Sequence, residues 1–499
     1  MKCFSHFAVL CSLYLAVGNA LIEAAETSPP SKPEGQPELK VIDLAVYPAP
    51  ITRPAMKYHL LPRIADQVPG NAALLYDTIF IRIAEEDGIR DGRTRDSKDE
   101  KERQKYSTNA DKLSEWLNKP LGELPKEEIR KILDNVEPWC MEYAEMASRR
   151  MQCDWELPLR EINDPIMIHL PELHRARSLA RILAMKARLS LADGKPEEAL
   201  KTLQIGFALS QQVGNGNVPL INCLVGNAIA NMMREQLVDL TQLKDAPNLY
   251  WTISNLPHPF MNIREAAQGE DCEFKQYFRE MLEAKKGQHT TEQWRKLLET
   301  TVKKLKYATA ILTNQDANAA KSEEVDVKKI LDEYYPVARD YLLELGWPKK
   351  EIESMTPARV VLLYGDEIWD EMQDDGRKWL GVQYSQWPSD LREHYNDLLK
   401  KYEHLPLVEG VQVMGKIAGT QARCERDFDS LRCIEAIRLY AYSHEGKLPG
   451  SLEDIKEVPI PPNPMTGKPF TYHLDGDAAV LLADGDMSSN YEYRIKIVK

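Results

Sequence analysis

Four aspartates near the C-terminus are the residues whose type and spacing come nearest to chemistry. Asp475, Asp477, Asp484 and Asp486 stand in pairs at the two ends of one short apolar run, Ala478 to Ala483. Carboxylate oxygens gathered in loops suit Ca²⁺, a hard cation that takes about six to eight oxygen ligands. Aspartate is also a common turn residue, because its side chain bonds nearby backbone and tolerates left-handed conformations, so the same residues also read as hairpin turns.

Other reacting groups are scattered. The chain has no His-Glu-x-x-His metal helix, no phosphate loop ending in Gly-Lys-Ser/Thr and no Gly-x-Ser-x-Gly elbow. Gly214 and Gly216 lack the preceding strand and third glycine of a dinucleotide site. His169 and His174 flank Pro171, a poor spacing for one metal. A Ser, His and Asp set drawn from distant positions stays open, because triads are defined in space. The sequence therefore assigns no catalytic residue and no cofactor, with calcium at the four aspartates the one metal reading.

The elements that would position such groups are mostly helices. Leu173, Ala176, Ala180, Leu183, Ala187 and Leu191 recur at steps of three and four, one stripe of a helix. Asp193, Gly194, Lys195 and Pro196 then break it, and Ala199, Leu203, Gly206, Phe207 and Ser210 line a return helix. A third helix is expected from about Pro219 to Leu240, and a shorter apolar piece opens at Pro247. Upstream, a helix is expected from near Asn71, with two more carrying Ile129 to Leu133 and Trp139 to Ala147. Charges of both signs between Glu85 and Lys105 read as a solvated segment. Within Arg149 to Trp155, Trp155 is expected in the core and the arginines against acids.

Amphipathic stretches continue through Phe274 to Met281, Trp294 to Leu312, Tyr341 to Leu345 after Pro336, and Val361 to Met372. Near the end the period changes. Cys433 to Ala441 continues a helical face, Ser451 can cap a short turn, and Phe470, Tyr472 and Leu474 alternate as a strand. Asp475, Gly476 and Asp477 signal a hairpin, and Tyr491, Tyr493, Ile495 and Ile497 alternate with Glu492, Arg494 and Lys496. The fold class expected is mainly α: helical hairpins with a small C-terminal α+β module of antiparallel strands.

Length and charge set bounds. A chain of 499 residues exceeds the size at which single cores stop growing, about 250–300 residues. A formal charge of −13 argues against general nucleic-acid binding, which needs a basic face. Met1 and Lys2, the apolar run Phe7 to Val17 and the small residues Gly18 and Ala20 read as a signal peptide over 1–20, hence export to the periplasm or beyond. Once that signal is cleaved, no later segment approaches a transmembrane span. The six remaining cysteines, Cys140, Cys153, Cys223, Cys272, Cys424 and Cys433, permit disulfides without requiring them. The expected organisation is a disordered linker over 21–52, an N-terminal helical region over 53–165 and a hairpin core over 166–265. A second helical region over 266–420 and a helix-plus-strand module over 421–499 complete it.

The hairpin carried by Ala187, Gly194, Ala199, Leu203 and Gly206 resembles a tetratricopeptide-type helical hairpin, with Leu183 and Ser190 where that repeat has Trp and Tyr. The tail carried by Tyr440, Gly446, Leu448, Pro449, Ser451, Leu452, Pro464, Gly467, Pro469, Phe470 and Tyr472 resembles the globular end of type II secretion pseudopilins. Asn463 stands where that module has Asp, and the pilin N-terminal helix is missing. The pseudopilin resemblance also implies calcium near the four aspartates. With Pro69 to Tyr76, Cys153 to Leu157 and Ala246 to Pro257 added, the chain is similar to an uncharacterised family of exported planctomycete proteins, which implies export but no activity. Two functions are carried forward: a scaffold with a protein partner in the cell envelope, or an envelope hydrolase whose site is assembled from distant residues.

Overall fold

The structure, a computed structural model, describes residues 39–86, 108–136, 138–158, 170–216, 219–312, 323–391, 410–485 and 490–498, with 161, 394 and 397. The expected signal peptide, the expected linker up to residue 38, most of the charged stretch between Glu85 and Lys105, and Asp486 lie outside the described residues.

Strand β1 (Leu39–Val46) opens the described chain, and strand β2 (Val68–Asn71) leads into helix α1 (Ala73–Glu86). Helices α2 (Thr108–Leu117), α3 (Lys126–Val136) and α4 (Trp139–Ser148) follow, then strand β3 (Arg150–Gln152), which pairs in parallel with β2. The central hairpins are α5 (Pro171–Ala192), α6 (Pro196–Gly214) and α7 (Leu220–Leu240), with the short α8 (Tyr250–Ser254) after them. Proline opens both α5 and α6, where its missing N–H has no partner to lose. Between them Gly194 takes φ +71°, and the Lys195 N–H reaches back to the Ser190 carbonyl, closing the last turn of α5.

The second helical region comprises α9 (Ile263–Tyr277), α10 (Arg279–Lys286), α11 (Thr291–Leu312), α12 (Val327–Glu344), α13 (Lys349–Ser354) and α14 (Pro357–Lys378). Helix α12 begins before Pro336, not after it: the Asp326 side chain caps the Lys329 N–H, and Tyr334, Ala338 and Leu342 make one buried face across the proline. Helix α15 (Gly410–Ser443) is the longest element, and β4 (Thr471–Asp475), β5 (Ala478–Ala483) and β6 (Asn490–Ile497) end the chain. The described residues thus form a mainly helical protein of fifteen α-helices with a small sheet.

The sheet runs β1-β6-β5-β4, antiparallel except that β1 lies parallel to β6, from Leu39 opposite Asn490 to Val46 opposite Ile497. This corrects the expected linker over 21–52, whose last part is a strand. Ile42, Leu44 and Val46 turn inward while Val41, Asp43 and Ala45 face solvent, a period of two that the surrounding Pro, Glu and Lys obscured.

Core side chains from α1 to α9, from α15 and from the sheet make one continuous apolar cluster, whereas residues 274–391 make a second. Helix α15 contacts α7 and α8 as well as β5, so it is buried on more than one side. Cys424 and Cys433, half a turn out of phase on that helix, are both covered for this reason. None of the six described cysteines is joined in a disulfide.

Candidate functional site

Because α15 is covered on several sides, charged residues on it are carried into the interior, where each needs a partner. Arg438, fully buried, donates to the carbonyls of Tyr47, Ala246 and Pro247 at 2.9, 3.0 and 3.4 Å and to Glu435 Oε2 at 2.8 Å. One guanidinium thereby ties the N-terminal strand, the loop before α8 and the long helix. Burial pushes the Glu435 carboxyl up, and Arg438 opposes it. Arg234 of α7 is also fully buried; it donates to the Tyr493 hydroxyl at 3.4 Å and lies over the Tyr491 ring.

Titratable groups also converge where α15 meets the loop after α8. Glu425 Oε2 lies 3.0 Å from His258 Nδ1, and its Oε1 accepts the Phe260 N–H at 2.6 Å. One turn on, Asp429 pairs with Arg432 at 2.8 Å, and Arg432 donates to the Tyr250 hydroxyl at 3.2 Å. That hydroxyl is itself bonded to the Pro459 carbonyl. Burial pushes the Asp429 carboxyl up, against the pull of Arg432. The hydrogen bond that His258 donates to the Glu425 carboxylate raises the His258 pKa above its usual 6.5, against desolvation.

A histidine raised in the folded state contributes stability that is complete below its unfolded pKa and lost as pH rises through the folded value. Wild type is therefore expected to exceed His258→Gln in urea midpoint at pH 5.5, and the gap is expected to shrink steadily by pH 8.5. A gap that widens with pH would contradict the Glu425 contact.

A groove lies elsewhere, on α14. A groove of about 810 Å³ is lined by Gln268 of α9, by Glu371, Met372, Asp374, Asp375, Arg377 and Lys378, and by His394. Met372 is buried as its floor, while Glu371, Asp374 and Lys378 are exposed on the outward stripe of the helix. Charges of both signs meet along it: His394 Nε2 lies 3.2 Å from Asp375, Lys378 also pairs with Asp375, and Arg377 lies 3.4 Å from Asp271 and 3.8 Å from Asp374. Beneath, Trp369 stacks on Phe274 and donates to Asp271 at 3.1 Å, while Lys275 and Lys285 bridge Asp271, Asp366 and Asp370. The wall is thus held to α9 and α10 by both packing and charge.

Of the four aspartates expected from sequence, the three described ones, Asp475, Asp477 and Asp484, do not come together. Asp475 and Asp477 stand at the β4–β5 turn, where Asp477 pairs with Lys496 at 3.0 Å. Asp484 lies beyond the other end of β5, a strand whose six residues span about 20 Å, and accepts from Asn463 Nδ2 at 3.0 Å. Asp486 lies outside the described residues. Among the described residues no group of three or more His, Cys, Asp or Glu side chains is placed to hold a metal ion.

Trp155 stacks against Tyr76 and Phe80, and Arg149 pairs with Glu145; Arg150, however, donates to the Pro69 carbonyl rather than to an acid. Gly410 to Lys416 has phosphate-loop spacing, yet Ile417 follows and the run is part of α15. Sequence reading missed the α15 ion pairs and the groove. Their one signal was acid and base three apart, as in Asp429 with Arg432 and Glu435 with Arg438, in a helix whose charged and apolar residues are mixed on every side rather than parted into two stripes.

No family model matches this chain, and neither the curated proteins nor the solved structures gave a match.

Proposed function

We propose that the protein is an exported helical scaffold that binds a protein partner in the cell envelope, and that the α14 groove receives the partner. The observation that carries this reading is the groove itself: an open trough whose wall carries the acids Glu371, Asp374 and Asp375 followed by the bases Arg377 and Lys378, above a methionine floor. Each rim pair has one well-exposed partner, Asp374 against Arg377 and Lys378 against Asp375, and pairs open to water are worth little, about 0–1 kcal/mol, so the exposed partners are free to meet a charged polypeptide. Charge complementarity of this sort sets partner choice and encounter rate more than raw affinity. The signal-like N-terminus supports export, and the tetratricopeptide-type and pseudopilin resemblances support a role in assembly by analogy.

The test is photo-crosslinking in whole cells from position 374, whose side chain is 89% exposed. A discrete protein adduct from 374 that is absent from a probe at Glu453, on the C-terminal module, is the expected result. No adduct, or the same adduct from both positions, would refute the groove as a docking site. The envelope hydrolase is favoured by one feature, the His258–Glu425 contact, since a carboxylate orients imidazole bases in the same way. Hydrolysis of an envelope substrate that is lost in His258→Gln would support it.

A further inference from the structure

We draw no further inference here: the strongest candidate, the exposed apolar surface patch of Ile64, Val68, Leu74 and Met151 around the β2–β3 pair and the first turn of α1, carries nothing because no feature of the structure shows what covers it.

Discussion

Replacing Arg438 by alanine is expected to lower the free energy of unfolding by about 3–5 kcal/mol, the range seen when one partner of a buried pair is removed. The loss has two sources. Glu435, 1% exposed, would keep a buried carboxylate without its cation, and the carbonyls of Tyr47, Ala246 and Pro247 would lose their donor. The double substitution Arg438→Met with Glu435→Leu removes both charges and keeps the volume, and is expected to recover part of the loss. Urea unfolding of the three proteins checks this; a double variant no more stable than Arg438→Ala would show that the carbonyl contacts, rather than the charge pair, dominate. Limited proteolysis at the N-terminal strand should quicken in Arg438→Ala, since the Tyr47 contact is one of those holding it.

Gly226→Ala gives the second large effect, and its sign is the test. In an exposed helix interior alanine is better than glycine by about 1 kcal/mol. Here the added methyl carbon would lie 2.9 Å from the Gly214 Cα, from the Ser210 carbonyl oxygen and from Met261 Cε. Met261 can turn aside, but the other two atoms belong to the backbone of α6, which would have to move away from α7. Overpacking of this kind typically costs about 1–3 kcal/mol, and it would also stretch the 2.7 Å bond from Ser210 Oγ to the Gly226 carbonyl. A lower urea midpoint is expected; a higher one would mean that the helices part easily and that their close approach contributes little.

These two sites show what could be read from the chain. Gly206, Gly214 and Gly226 sit in helices whose period, breaks and small residues were plain in sequence, and the hairpins run as that pattern implied. None of the three glycines' partners was legible, because the period of one helix says which face is apolar but not which neighbour meets it. Arg438 was less accessible still. On a sequence, an arginine three residues from a glutamate is the ordinary mark of a solvated face. It is interior here because the helix that carries it is covered on several sides, and that depends on strands from opposite ends of the chain.

The same distinction applies to the four aspartates. Their spacing brought them together along the chain, but an extended strand sets Asp475 and Asp477 about 20 Å from Asp484. The groove residues from Glu371 to Lys378 were visible only as the polar side of an amphipathic helix; concavity arose when α9 packed beside it.

By itself, then, the order of residues determined the local matters: where most helices start and stop, though not the start of α12 before Pro336, the hairpin turns, the alternation of the last strands and the mainly helical class. These follow from short-range constraints on backbone and from the period of apolar side chains. Tertiary structure alone decided that Leu39–Val46 is a strand, that Arg234 and Arg438 are interior, and that a charged trough opens on α14. Each depends on residues far apart in the chain meeting in space, and burial, the quantity that turns a charge into a staple or an orphan, exists only after they meet.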